Sequence, residues 1–151
     1  MVGVKPIAFT LQFAGEAVEL DEGRFWAETR AVVPNETDQA AGQPDGIRTD
    51  EALCRRDLEL RVDGSLVQTG EISFGVDDAI TFRAQGALGA SPDPCLRHGT
   101  AVFEVTGGRG RLAGARGYVT SNFLLSDTGE LTDHHLGLLF VEQPVQEEAL
   151  P

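Results

Sequence analysis

Apolar and polar residues alternate with a period of two along most of the chain, and the spacing typical of amphipathic helices is nearly absent. The segment 5–13 shows the pattern well, because its apolar residues fall on one face: Ile7, Phe9, Leu11 and Phe13. Successive side chains of a strand point to opposite faces, so this alternation is typical of strands with one buried face. The pattern predicts an all-β chain.

The alternation and the turn signals between its segments predict about eight strands, with breaks every 8–12 residues. Asp63-Gly64 is a hairpin signal of the kind that favours a type I′ turn. This arrangement is typical of an antiparallel barrel or sandwich. The predicted strands cover residues 5–13 (continuing over 17–20 past a kink at Gly15), 24–33, 51–62, 65–76, 79–88, 97–106, 111–125 and 131–141.

A single domain accounts for residues 1–143, with no internal repeat and no second domain. Residues 34–50 are rich in Pro, Gly, Asn, Asp and Gln and predict the longest loop. Residues 144–151 are acidic and predict a flexible tail. Several strands are apolar on both faces, and in a barrel the outer face can then pack against a neighbouring subunit. We therefore expect a homo-oligomer, a dimer or a trimer.

The net charge limits the classes of binding partner, and the targeting signals bear on the cellular location. The formal net charge of −12 argues against nucleic acid and against an anionic membrane surface. The chain has no apolar stretch long enough to cross a bilayer and no secretory signal, so a cytoplasmic location is expected. There Cys54 and Cys95 would usually stay reduced, with a bridge between them as the open alternative.

A glycine-rich segment, residues 105–118, is the most specific motif of the chain. Gly108, Gly110 and Ala113 satisfy the dinucleotide-binding spacing G-x-G-x-x-A, but that fingerprint requires a helix next. The residues that follow, Val119 to Phe123, are typical of a strand instead. The segment is therefore interpreted as a connection that turns a corner of the sheet, where glycines permit tight bends.

The pattern Thr-Gly-Gly-x-Gly-x-x-x-Gly-x-x-Gly between two strands resembles the signature of allene oxide cyclases, plant dirigent proteins and bacterial relatives with the same barrel. Arg109 and Leu112 stand where the family favours Ser or Thr and an aromatic residue. Eleven of the twelve basic residues are Arg, which is typical of a GC-rich, bacterial genome. The resemblance implies a closed antiparallel β-barrel that holds an apolar, unsaturated ligand. Members of this group steer cyclisations or couplings by holding a substrate in one reactive conformer.

Three residues of one predicted strand, Trp26, Glu28 and Arg30, share a face. If this face lines the interior, Trp26 forms a pocket wall and Arg30 anchors the substrate, while Glu28 orients or protonates its carbonyl. The alternative is a solvated outer face with an ion pair, because the opposite face of the strand is itself a plausible core.

Tyr118 and Asn122 share a face of the strand that follows the glycine motif, so a phenol and an amide are available to orient a ligand. Plain packing is the alternative. His134 and His135 are neighbours and must point to opposite faces, so they are unsuited to share a metal, and His135 is the candidate for the cavity. We expect the faces of Trp26 and Tyr118 to look into one cavity.

Together these features predict a cofactor-independent cyclase or isomerase of bacterial secondary metabolism, with an apolar polyketide- or lipid-like substrate. Glu28 and Tyr118 are the candidate catalytic residues. No cofactor and no metal are expected, because hydrolase, thiol-redox and metal-ligand motifs are missing from the sequence. The alternative is a dirigent-like or small-molecule-binding barrel without catalysis.

Overall fold

The computed structural model describes residues 2–33 and 51–144. The loop predicted for 34–50 and the tail predicted for 144–151, except Pro144, lie outside the described residues. The described part contains eight strands and one short 3-10 helix, Gly110–Leu112. The strands are β1 (Val2–Asp21), β2 (Arg24–Val32), β3 (Glu51–Leu60), β4 (Ser65–Phe74), β5 (Asp78–Ala90), β6 (Leu96–Arg109), β7 (Arg116–Ser126) and β8 (Glu130–Pro144). The described residues include no helix of the length and apolarity that crossing a membrane requires.

Each strand pairs antiparallel with the next, and β1 closes the barrel by pairing with β8. The long β1 serves both neighbours, because its first part pairs with β8 and its last part with β2. The prediction of a closed, antiparallel, eight-stranded all-β barrel is confirmed. Closure leaves the sheet without an unpaired edge.

Two local predictions need correction. The turn at Asp63-Gly64 is not type I′, which requires positive φ at both central residues, because no described residue other than glycine has a positive φ. Instead Gly64 N donates to Arg61 O and Arg61 N donates to Ser65 O, which makes a three-residue loop with Gly64 at φ +88°. The second correction concerns β7, which begins at Arg116 rather than at residue 111.

The glycine motif folds over one end of the barrel. It contains a three-residue 3-10 helix, Gly110–Leu112, and leads into β7 rather than into the long helix that a dinucleotide site needs. Leu112 of this turn is fully buried and belongs to the core, as does Ala115. The connection therefore closes this end of the barrel with an apolar side chain.

The inward-facing residues form two apolar clusters. The larger lies towards the end closed by Leu112 and includes Phe9, Phe13, Phe74, Phe82 and Phe103. The smaller lies towards the opposite end, where short turns join β1 to β2, β3 to β4 and β7 to β8, and contains Ala27, Leu58, Leu66, Phe123, Leu125 and Leu131. Between the clusters, the inward positions of five strands are polar: Thr29, Arg56, Gln68, Ser121 and Asp133.

The character of the outer surface changes around the barrel. On β2 to β6 it carries cross-strand ion pairs, such as Arg83 to Glu104 at 2.7 Å and Arg109 to Glu71 at 2.6 Å. A second group consists of large exposed apolar side chains on β6, β7 and β8: Val102, Tyr118, Leu124, Leu136, Leu138 and Phe140. The register places Tyr118 beside Leu138. We call this second group the apolar outer face.

Candidate functional site: a buried polar centre

A buried ion pair crosses the middle of the barrel interior. Arg56 of β3 donates from Nη2 to Asp133 Oδ2 of β8 at 2.7 Å, and both side chains are at most 1 % exposed. Asp133 also accepts a hydrogen bond from Ser121 Oγ at 2.7 Å and one from His135 Nε2 at 2.8 Å. Three strands thus place donors around one carboxylate.

Arg56 is held on its other side as well. Its Nη1 donates to Gln68 Oε1 at 3.3 Å, and its guanidinium carbon lies 5.7 Å from the ring centroids of both Phe103 and Phe123. The guanidinium therefore lies between aromatic rings rather than in water. We call Arg56, Gln68, Ser121, Asp133 and His135 the polar centre.

Electrostatics fixes the charge of the centre. Burial by itself raises the pKa of the Asp133 carboxyl, but Arg56, His135 and the hydrogen bonds from His135 and Ser121 outweigh it and hold the pKa at about 2. Burial lowers the pKa of His135 below 6.5, although Asp133 acts in the opposite direction. At neutral pH the centre therefore contains one cation, one anion and a neutral imidazole.

The tautomer of His135 follows from its partner. An ionised carboxylate only accepts hydrogen bonds, so the single ring proton of the neutral imidazole lies on Nε2, which faces Asp133. Nδ1 then carries a free lone pair. The ring itself is held by Phe13, with centroids 4.6 Å apart, and by the edge of Phe103 at 5.1 Å.

Three polar atoms of the centre have no hydrogen-bond partner among the described residues: Arg56 Nε, Gln68 Nε2 and His135 Nδ1. Each is buried, and a buried polar atom without a partner costs roughly 1–3 kcal/mol. Chemically they are two N–H donors and one acceptor. The centre is thus able to bind an oxygen and to take up a proton.

Cys54 lies next to this centre, two residues before Arg56 on the same inward face. Burial raises the pKa of its thiol to about 11, although the nearby Arg56 charge acts in the opposite direction. The thiol is therefore protonated and unreactive at neutral pH. Cys54 and the exposed Cys95 are both free, so neither forms the bridge that the sequence left open.

The predicted face of β2 lies outside the barrel. Trp26 is 36 % exposed, and Arg30 bonds to Glu28 at 3.2 Å and to Glu51 at 2.7 Å on the surface. The expectation that Trp26, Glu28 and Arg30 line an interior cavity is therefore wrong, and the alternative of a solvated face with an ion pair is correct. The physical reason is that the opposite face, with Ala27 among others, is the one that the barrel buries.

The face of β7 that bears Tyr118 and Asn122 also lies outside. Tyr118 is 58 % exposed, and Asn122 is exposed and bonds to His98 on the neighbouring strand. The two faces therefore do not look into one cavity, and neither residue reaches an interior ligand. Of the predicted site residues, only His135 lies inside, while its neighbour His134 is exposed.

Sequence reasoning missed Arg56, Gln68, Ser121 and Asp133. The signal was the position of Arg56 in its strand. It lies two residues from both Cys54 and Leu58, so it shares their otherwise apolar face. A charged residue in phase with a buried face is rare unless it is paired, and such exceptions mark candidate sites. Among the described residues, no three His, Cys, Asp or Glu side chains come close enough to ligate a metal ion together.

Comparison with known proteins bears on the fold. No protein-family profile and no curated protein sequence matches this chain. Among solved structures, it is similar to the pterocarpan synthase dirigent protein GePTS1, with 12 % identity, a TM-score of 0.62, and coverage of 91 % of this chain and 89 % of that one. The fold is the dirigent-type barrel. At this identity the likeness establishes the architecture of the dirigent-type barrel and leaves the chemistry to the residues inside.

Proposed function

We propose that this barrel is a cofactor-independent cyclase or isomerase whose interior holds an apolar, unsaturated small molecule that bears an oxygen. The observation that carries the proposal is the polar centre, in which two unpaired donors and one unpaired acceptor lie inside an otherwise apolar barrel. Ligand sites combine these features, since apolar walls supply affinity and a few polar groups fix orientation.

Stability does not account for the polar centre. A buried ion pair must recover the cost of removing two charges from water, and apolar residues of similar volume often serve a core as well or better. In this barrel the pair lies between two apolar clusters that leucine or methionine at positions 56 and 133 would join. Three unpaired atoms add to the cost. A role in binding explains why these groups are present.

The charges of the centre indicate which ligand it suits. Arg56 and Asp133 neutralise each other and His135 is neutral, so the interior offers hydrogen bonds without a net charge. The surroundings are aromatic and aliphatic. A neutral, apolar molecule with one carbonyl or hydroxyl oxygen fits this environment, whereas a polyanion does not.

The two ends of the barrel suggest the route to the interior. Leu112 fills the end at the glycine motif. At the opposite end an open surface recess of about 620 Å³ reaches half-buried Phe25 and Leu60 and the buried Leu125 of the smaller cluster. Ligand sites have volumes of roughly 300–1,000 Å³. We propose that the substrate passes through this recess and displaces apolar side chains on its way to the polar centre.

We also propose that copies of this chain associate through the apolar outer face. Its large side chains lie on the neighbouring strands β6, β7 and β8, whereas the ion pairs Arg83–Glu104 and Arg109–Glu71 join residues of β4 to β6. Specific interfaces bury about 800 Å² per partner with an apolar centre. Around Leu136 and Leu138 the neighbours on β7 are the uncharged Thr120 and Tyr118, so strongly acidic copies can meet there without bringing like charges together.

Binding is tested with cyclohex-2-en-1-one, a small unsaturated ketone, by following the ring-nitrogen NMR signals of the three histidines. The expected result is a saturable shift at His135, with His134 and His98 unchanged because they lie outside. Gln68→Leu is expected to weaken the binding, and the outer-surface variant Asn122→Ala to leave it unchanged. Shifts confined to His98 and His134 would place the ketone on the surface and overturn the proposal.

A further inference from the structure

The unpaired atoms of the polar centre belong to one connected unit. Arg56 Nη2 and His135 Nε2 both bond to the same oxygen of Asp133, and Gln68 accepts from the other terminal nitrogen of Arg56. The shared carboxylate therefore keeps His135 next to the two donor groups. Three buried atoms of this unit have no hydrogen-bond partner among the described residues: Arg56 Nε, Gln68 Nε2 and His135 Nδ1.

Two donors and one base are the groups that a carbonyl isomerisation needs. The donors stabilise the negative charge that develops on a carbonyl oxygen, and such stabilisation is strong where water is excluded. One base suffices if it removes a proton from carbon and returns the same proton to another carbon. In this centre the only unpaired acceptor is His135 Nδ1 among the described residues, and the unpaired donors are Arg56 Nε and Gln68 Nε2.

Resting on the function proposed above, we propose that the polar centre moves a carbon–carbon double bond in a neutral β,γ-unsaturated ketone into conjugation with its carbonyl. Nδ1 of His135 takes a proton from the α-carbon, and the electrons of that C–H bond form an enolate. Arg56 and Gln68 hold the enolate oxygen. The imidazolium then gives the proton to the γ-carbon, the carbonyl re-forms, and the double bond lies between the α- and β-carbons. No atom or electron is gained or lost.

Each residue has a distinct part in this reaction. His135 is the catalytic base, and Arg56 and Gln68 bind the oxygen. Asp133 and Ser121 do not touch the substrate. They are positioning residues, because Asp133 keeps the ring proton on Nε2 and the lone pair on Nδ1, and Ser121 holds Asp133 in place.

The test uses cyclohex-3-en-1-one and follows the ultraviolet absorbance of the conjugated ketone that forms from it. Wild-type protein is expected to accelerate the conversion above the buffer rate. His135→Gln keeps a planar polar side chain but removes the base, so the rate should fall by about a hundredfold or more. The matched control is His134→Gln, the same change on the neighbouring, outward-facing residue, which should leave the rate unchanged.

Further readouts guard against a variant that fails to fold. Gln68→Leu removes one oxygen donor and should lower kcat about tenfold or more. In wild-type protein, the rate should fall as the pH drops below 6.5, because protonated His135 is no longer a base. The charged and titratable groups that act on this ring are Asp133 and His134 on its own strand and Arg56 on β3, while Cys54 of β3 interacts with Arg56 and Asp133. In D₂O, a single buried base should return part of the original proton, so the product should keep protium at the γ-carbon.

Cyclohexanone, which cannot isomerise, separates the two proposals. If it shifts the His135 signals while the unsaturated ketone is not accelerated, the isomerisation is overturned and the interior binding site stands. If neither ketone reaches His135, the proposed function itself is overturned. A wild-type rate that is independent of pH, or a folded His135→Gln protein of unchanged rate, also refutes the isomerisation.

Discussion

Removing one partner of the buried ion pair should destabilise this protein far more than removing one partner of a surface pair with the same geometry. Arg56–Asp133 and Arg83–Glu104 both have N–O distances of 2.7 Å, but the first pair is at most 1 % exposed and the second is 71 % and 45 % exposed. Asp133→Asn leaves a buried guanidinium without its counter-charge, which costs about 3–5 kcal/mol. Glu104→Gln should cost less than about 1 kcal/mol.

Urea denaturation of the two variants measures both free energies of unfolding. The double variant Arg56→Met/Asp133→Leu removes both charges, so it should be less destabilised than the sum of its single changes by about 2 kcal/mol or more. Strict additivity, or equal losses for Asp133→Asn and Glu104→Gln, would refute the reasoning that burial gives this pair its energetic weight.

The pH dependence of the free energy of unfolding should also report on the buried Arg56–Asp133 pair. The pKa of Asp133 is lower in the folded protein, about 2, than its ordinary value of 3.8. The ionised Asp133 carboxylate therefore adds about 2 kcal/mol to the free energy of unfolding at pH values above 3.8. This contribution is lost as the pH falls towards 2. His135 acts in the same direction at higher pH, because its lowered pKa makes the folded state resist protonation below 6.5. Stability should decline in both windows, and the decline in the lower window should shrink in Asp133→Asn, where only other carboxyl groups such as Asp63 remain to titrate.

Three further outcomes follow from the structure. Gly108→Ala should lower the free energy of unfolding in urea by about 1–3 kcal/mol, because an added Cβ would overlap the backbone carbonyls of Ala79 and Leu112. The control Gly89→Ala places its Cβ in open space and should be close to neutral. A thiol reagent should modify exposed Cys95 at once and buried Cys54, with its raised pKa, only on unfolding; equal rates would contradict the burial of Cys54. Leu138→Asp should reduce the molar mass by light scattering to that of the monomer, and an unchanged mass would remove the apolar outer face as the contact between copies.

The candidate site was predictable only in part. Neighbours on a strand point to opposite faces, so the sequence required one of His134 and His135 to point inward. It did not reveal which face of β2 or β7 is inside, because both faces of each strand carry groups suited to a pocket. Arg56 and Asp133 lie 77 positions apart, and no local pattern relates them.

The sequence by itself determined the class of the fold. Period-two alternation, the spacing of turn signals and the glycine motif all depend on local sterics and on side-chain direction, which act between residues close together in the chain. These were enough for an all-β chain of eight strands. Only the tertiary structure decided which face of each strand is buried, because that choice depends on how the side chains of all eight strands fill one closed interior. It also decided that the polar residues of four strands meet in one hydrogen-bonded centre, since their contact is a consequence of barrel closure rather than of sequence distance.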